Sequence, residues 1–158
     1  MKEARMPEYL ETTAGKFRFR VAVGRFYSPE GVWALWIQPE VAHRVRVGLT
    51  DFLQQRSGDV AFLTVKAPGT RLEAGGELAE LETVKVNLSV QTPVGGTIVE
   101  VNPALELTPE VVNEDPYGDG WLAVIETMSW EADRLKLLDA HAYLSVMQGQ
   151  VEQEARSR

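Results

Sequence analysis

The fold is decided by the run Leu78-Ala79-Glu80-Leu81-Glu82-Thr83-Val84-Lys85-Val86-Asn87-Leu88-Ser89-Val90, 13 residues without a glycine or proline. A single strand of this length would exceed the usual range of about 3–10 residues. A turn must therefore fall within the run, and a type I β-turn tolerates most residue types. We place the turn near Val84 and Lys85, so that the two flanks pair as a hairpin.

The residues on either side of this run support the hairpin. Gly75 and Gly95 each lie ten residues from Lys85, where the two ends of the hairpin would meet. Lys85 is the only lysine between Lys66 and Lys136, and the turn puts it at the outermost point. Val84 and Val86 would then be exposed beside it, which is unfavourable unless a partner contacts them.

Further out, the chain reads as short strands separated by turns. Apolar and polar residues alternate from Phe17 to Val23 and from Arg44 to Leu49, the period of a half-buried strand. Short helices are predicted after Thr50 and, near the C-terminus, after Ser129 and Asp139, because these residue types cap helices. We therefore expect a mainly β fold with a few short helices, two of them near the C-terminus.

Length and composition indicate one domain with two short extensions. The 158 residues favour a single domain, which we place at residues 17–148. Residues 1–16 are polar and aperiodic and are expected to form a flexible extension. Residues 149–158 are expected to form a polar tail. The N-terminal residues contain no apolar h-region, and no stretch approaches the roughly 20 apolar residues of a membrane span. We therefore expect a cytoplasmic protein that does not enter a membrane.

Charge and residue types exclude several functions. The chain has no cysteine, which excludes disulfides, thiolate catalysis and cysteine-ligated metals. Its net charge is −7, although the first 25 residues are basic. An acidic body argues against nucleic acid as a partner, and it fits docking on basic patches of larger proteins, although it also fits simple solubility.

His43 and His141 are the only histidines. Asp139 and His141 are two residues apart and do not share a helix face. We therefore expect neither a catalytic triad nor a metal site.

Five segments of the chain resemble a known protein family. The segment Glu82-Thr83-Val84-Lys85-Val86 resembles the lipoylation motif of lipoyl-carrier domains. Four further segments resemble the glycine cleavage system H protein, in the same order along the chain: Val45–Phe52, Ser57–Phe62, Thr92–Asn102 and Asn113–Leu122. The resemblance runs from about Tyr27 to Met147.

The resemblance implies a hybrid barrel-sandwich fold and a non-catalytic carrier. It implies that Lys85 bears lipoic acid through an amide, and that Glu82, Thr83, Val84 and Val86 form the turn that a lipoylating enzyme recognises. Biotin is the neighbouring alternative, but biotin carriers usually place methionines beside the lysine. An ordinary solvated lysine is the other alternative for Lys85.

Some segments depart from the common H-protein pattern. Gly31-Val32-Trp33 stands where H proteins usually have His-Glu-Trp, so the carboxylate suited to the aminomethyl cargo is missing, although Glu30 could compensate. Trp33 is expected in the core, with a place beside a docking cleft as the alternative. Three further features differ from the common H-protein pattern: the longer N-terminus, Asn87 after the lysine motif and the segment Phe52–Ser57.

These departures resemble the lipoate-binding proteins of the heterodisulfide-reductase-like sulfur-oxidation system. That resemblance implies an arm that carries sulfur-containing intermediates between cytoplasmic enzymes. Two alternatives stay open: an H protein of the glycine cleavage system that carries the aminomethyl group, and an unmodified H-like binding module. The implied partners are a lipoate ligase or lipoyl-transfer enzyme, together with a heterodisulfide-reductase-like complex or the glycine cleavage enzymes, including a dihydrolipoyl dehydrogenase.

Overall fold

The computed structural model describes residues 8–38 and 43–156. Its strands are β1 (Tyr9–Ala14), β2 (Phe17–Ala22), β3 (Phe26–Tyr27), β4 (Val32–Gln38), β5 (Arg44–Leu49), β6 (Val60–Val65), β7 (Arg71–Leu72), β8 (Glu77–Thr83), β9 (Asn87–Gln91), β10 (Gly96–Val101) and β11 (Ala123–Thr127). Its helices are α1 (Asp51–Ser57), α2 (Ala104–Leu107), α3 (Val111–Glu114), α4 (Trp130–Arg134) and α5 (Ala140–Arg156). No helix of the described residues is long and apolar enough to cross a membrane.

The strands form three antiparallel sheets. The largest has the order β3-β4-β5-β11-β10-β7, a second has the order β6-β8-β9, and β1 pairs with β2. One apolar cluster joins the inner faces of the first two sheets, as shown by Val47 and Ile125 from the larger sheet and Leu81 and Val90 from the smaller one. Burying these side chains is the main stabilising contribution to such a fold. The predicted mainly β hybrid barrel-sandwich, with helices toward the C-terminus, is confirmed.

A second apolar cluster lies outside this sandwich. It brings together residues from β2, α1 and α5 with Tyr27 of β3, Trp33 of β4 and Tyr117. Tyr27 and Tyr143 stack with their ring centroids 4.8 Å apart, and Trp33 is fully buried. The indole N–H of Trp33 donates to the carbonyl of Pro116 at 3.0 Å. Trp33 therefore belongs to the core, as expected, and does not line a docking cleft.

Two expectations about the chain ends differ from the structure. Residues 9–14, assigned to a flexible extension, form β1, which pairs with β2 over its whole length. Alternate residues of β1 are half-buried, because the strand packs between β2 and α5. Residues 1–7 lie outside the described part. The expected tail at residues 149–158 is instead helical to Arg156, because Val151 packs on the second cluster and Glu154 pairs with Arg56 at 2.5 Å.

Candidate cofactor-attachment turn

The predicted turn is present at the expected residues. β8 ends at Thr83 and β9 begins at Asn87, so that Val84, Lys85 and Val86 form the connection. The two strands pair with Glu82 opposite Asn87, and the Thr83 amide donates to the Val86 carbonyl at 2.9 Å. Lys85 therefore lies at the tip of a hairpin that is anchored by the sheet β6-β8-β9.

The hydroxyl of Thr83 organises this turn from the inside. It accepts hydrogen bonds from the amides of Lys85 at 3.1 Å and Val86 at 3.0 Å. It donates to the carbonyl of Ser57 at 2.7 Å. Ser57 is the last residue of α1, so this bond satisfies a helix-terminal carbonyl that has no partner within the helix. Thr83 is only 7% exposed. Its role in the structure is to shape the turn and to fix it against α1.

The turn itself projects into solvent. The Val84 side chain is 94% exposed and that of Val86 is 39% exposed, as predicted from the sequence. Lys85 is also exposed. An amine that stands clear of the protein surface on an ordered backbone can enter the active site of an acylating enzyme. An exposed valine beside it offers such an enzyme an apolar contact.

The stem of Lys85 lies across the end of α1. A Cβ built on Gly58 would stand 3.1 Å from Cδ and 3.7 Å from Cγ of Lys85. Gly58 has a φ of +92°, a conformation that side chains disfavour. It follows α1, where its amide donates to the Gln54 carbonyl at 3.1 Å. The absence of a side chain at this position therefore leaves room for the lysine stem.

Asn113 holds this glycine in place. Its amide nitrogen donates to the carbonyls of Gly58 and of the Gln54 side chain, both at 3.0 Å. Its side-chain oxygen accepts from the amide of Val60 at 2.9 Å. Sequence reasoning assigned no site role to Gly58 or Asn113. The signals available were the helix-ending glycine and the position of Asn113 in a family-like segment.

Glu82 lies on a different surface from Thr83. It is exposed on the outer face of the sheet β6-β8-β9, next to Glu80 and Phe62, and the Phe62 side chain is 67% exposed. The strand alternation explains the difference, because neighbouring residues of β8 point to opposite sides. Of the five predicted site residues, the structure therefore exposes Glu82, Val84, Lys85 and Val86, and buries Thr83.

The segment that departs from the common H-protein pattern is tightly packed. Gly31 has a φ of +100°, and a Cβ there would stand 3.1 Å from Cβ of Leu53 and 3.2 Å from Oγ1 of Thr50. The Tyr143 hydroxyl would lie 3.4 Å away, and it hydrogen-bonds to Thr50 at 3.0 Å. Burial raises the pKa of Tyr143 to about 12. Val32 is buried in the main core.

The residues of the turn fit a lipoyl group. An amide needs a primary amine that an enzyme can approach, and Lys85 provides one at the exposed tip. A long arm needs a base that does not swing with it, and the Thr83 hydrogen bonds hold that base. The described residues contain no cysteine, so the sulfur chemistry of such an arm comes from the group itself.

Fold and turn together define a class of protein: a non-catalytic carrier that presents a lysine on a β-hairpin of a barrel-sandwich. The family model described as "Glycine cleavage H-protein" matches residues 25–150. The chain therefore belongs to the glycine cleavage H-protein family. Proteins of this family are non-catalytic carriers with lipoate attached covalently to a lysine.

Individual relatives agree with this membership. The glycine cleavage system H protein of Thermus thermophilus is 42% identical over 126 residues, which cover 80% of this chain and 94% of the relative. That of Coprothermobacter proteolyticus is 44% identical over 107 residues, or 68% of this chain and 82% of the relative. The crystal structure of a glycine cleavage system H protein from Mycobacterium marinum matches with a TM-score of 0.70 and 30% identity, over 79% of this chain and 97% of that chain.

Proposed function

We propose that Lys85 is the lipoylated lysine of this chain and that the protein serves as the H protein of a glycine cleavage system. The observation that carries the proposal is the turn itself, in which Thr83 fixes the backbone while Lys85 stays exposed. The relatives at 42–44% identity, all named as glycine cleavage H proteins, support the pathway. By this proposal the partners are a lipoyl-transfer enzyme and the glycine cleavage enzymes, including a dihydrolipoyl dehydrogenase, in the cytoplasm.

The residues of the chain divide the work of a carrier. A bound lipoyl group supplies a disulfide that can open, accept a group from one enzyme and release it to the next. Lys85 anchors the arm, and Thr83 and Gly58 position the base of the arm. The exposed side chains of Val84 and Glu82 are groups that a lipoylating enzyme can contact. Holding the reactive group on a tether raises its effective concentration at each partner's active site.

A second candidate function is the sulfur-oxidation carrier that the sequence analysis favoured. The relatives favour glycine cleavage instead. The observation that keeps the second candidate is Gly31, whose φ of +100° disfavours any side chain and where an added Cβ would be tightly packed, together with Val32 in place of a carboxylate. A third candidate, the unmodified binding module, predicts that partners bind equally well without Lys85.

The first experiment tests the attachment site. The protein is expressed with lipoate and a lipoate ligase, and its intact mass is measured. We expect the mass to rise by one lipoyl group in the wild type and in Lys136→Ala, a matched control at another exposed lysine. Lys85→Ala is expected to stay unmodified, whereas modification of that variant would contradict the proposal.

The second experiment tests the pathway. The lipoylated protein is mixed with a glycine decarboxylase and carbon-14-labelled glycine, and release of labelled carbon dioxide is followed. We expect release that depends on lipoylated Lys85. The decarboxylase is first shown to be active with another H protein. If it then releases no labelled carbon dioxide with this lipoylated protein, the result would favour the sulfur-oxidation candidate.

A further inference from the structure

The N-terminal hairpin is the part of the described chain that lies before the family match, which begins at residue 25. It is formed by β1 and β2, and it is fixed to the rest of the protein by specific hydrogen bonds. The Gln55 side chain of α1 donates to the Arg18 carbonyl at 2.8 Å, and the Arg20 amide donates to the Asp51 carboxylate at 2.9 Å. Gln148 of α5 donates to the Thr12 hydroxyl at 3.0 Å. The hairpin therefore has a defined orientation.

The tip of this hairpin is basic and apolar. Lys16, Phe17 and Arg18 are exposed one after another. Lys16 Nζ lies 5.6 Å from the centroid of the Phe17 ring, and Arg18 lies on the other face of β2. None of the ion pairs among residues 8–38 and 43–156 involves Lys16 or Arg18. Phe17 is 51% exposed, although Phe19, the next residue on the same face of β2, is 6% exposed. Residues 9–22 contain three basic residues and one acidic residue in a chain of net charge −7.

The hairpin tip and the turn that bears Lys85 both contact the C-terminal end of α1. Gln55, which contacts Arg18, and Gly58, which contacts the Lys85 stem, are three residues apart. Three residues correspond to roughly 4.5 Å along a helix axis. A protein that surrounds the arm at Lys85 therefore has the hairpin tip within reach of its own surface.

We propose that Lys16, Phe17 and Arg18 form a docking site for an acidic surface, with an apolar recess, on an enzyme that acts on the arm of Lys85. This inference rests on the proposed function, because it needs an arm at Lys85. Charge complementarity supplies the argument for the occupant: an exposed basic pair without acidic partners attracts an acidic surface and speeds encounter. The exposed Phe17 ring beside Lys16 provides an apolar anchor, and aromatic residues are a type that interfaces favour.

The test uses the full-length lipoylated protein and the glycine decarboxylase, aminomethyltransferase and dihydrolipoyl dehydrogenase of its source organism. The double variant Lys16→Glu/Arg18→Glu is compared with Arg71→Glu/Lys136→Glu, which changes two exposed basic residues elsewhere and has the same net charge. We expect the hairpin variant to raise KM for the carrier about tenfold with at least one enzyme at about 0.01 M ionic strength, with kcat unchanged. The difference should shrink at about 0.15 M, where screening is stronger.

Phe17→Ser tests the apolar part, with Leu135→Ser as its control because Leu135 is 80% exposed. Phe17→Ser is expected to raise KM severalfold at both ionic strengths. Intact mass is measured first: an unmodified Lys85 would overturn both proposals. Normal lipoylation with KM unchanged for all three enzymes, or changed equally by the controls, would overturn the docking site alone. A change confined to self-association in sedimentation would assign the tip to a second copy and would also overturn it.

Discussion

Thr83 offers a sharp test of how the turn is built, because one hydroxyl has four hydrogen-bond contacts, with the Ser57 carbonyl, the Lys85 amide, and the amide and carbonyl of Val86. Thr83→Val keeps the shape of the side chain and removes the hydroxyl. The Ser57 carbonyl then loses its donor at 2.7 Å, whereas the amides of Lys85 and Val86 lie in an exposed turn and can bond to water. An unsatisfied buried carbonyl costs about 1–3 kcal/mol. In a domain of this size, that lowers Tm by about 2–12 °C.

Thr83→Ser is the matched control, since it keeps the hydroxyl and loses one methyl group, which costs about 0.8 kcal/mol. Thermal unfolding and amide hydrogen exchange at Lys85 and Val86 measure the difference. We expect faster exchange in Thr83→Val alone. If about 1.4 kcal/mol of the loss falls on the turn, kcat/KM for lipoylation drops about tenfold. Equal Tm and equal exchange in the two variants would refute the role given to this hydroxyl.

Two further predictions concern Gly58 and Tyr143. Gly58→Ala is expected to displace the Lys85 stem and lower kcat/KM for lipoylation about 2- to 10-fold, since an off-rotamer side chain costs about 0.5–1.5 kcal/mol. Gly69 is the control position, because it has a similar φ of +94° and no atom lies within 4 Å of an added Cβ. Gly69→Ala should lose stability without losing lipoylation. Equal lipoylation rates in Gly58→Ala and Gly69→Ala would contradict the contact between Gly58 and the Lys85 stem. Burial raises the pKa of Tyr143 from the ordinary tyrosine value of 10.0 to about 12. The stability linked to it is present below pH 10 and is lost as the pH rises to 12. Tyr143→Phe should therefore reduce the slope of the unfolding free energy in urea against pH in that range, while Tyr27 and Tyr117, whose pKa values burial also raises, keep part of that slope.

The sequence was sufficient to predict the turn, and it also contained a signal for the burial of Thr83 inside it. The length limit on a strand required a turn between Leu78 and Val90, and the structure has it at Val84–Val86. The burial of Thr83 was also available in principle, because period-2 alternation from Leu81 puts Thr83 on the inner face and Glu82 on the outer one. The sequence analysis placed Thr83 in the turn that a lipoylating enzyme recognises and did not use that alternation.

Other features depend on contacts between distant residues and have no local signal. Gly58 supports a stem that is 27 positions further along the chain, and Asn113 reaches Gly58 from 55 positions away. β1 was assigned to a flexible extension because its sequence alternates weakly, and a strand of that kind is stabilised mainly by its neighbours. Here those neighbours are β2 and α5.

Two departures from the common H-protein pattern meet at one helix. α5 packs against the hairpin strands through the second apolar cluster, and the same helix provides Tyr143, whose hydroxyl faces Gly31. A Cβ at position 31 would stand 3.1 Å from Leu53 Cβ and 3.2 Å from Thr50 Oγ1, and it would need a φ that side chains disfavour. The Gly31 site and the N-terminal hairpin therefore both lie against α5, Gly31 next to the Tyr143 hydroxyl and the hairpin through the bond from Gln148 to Thr12.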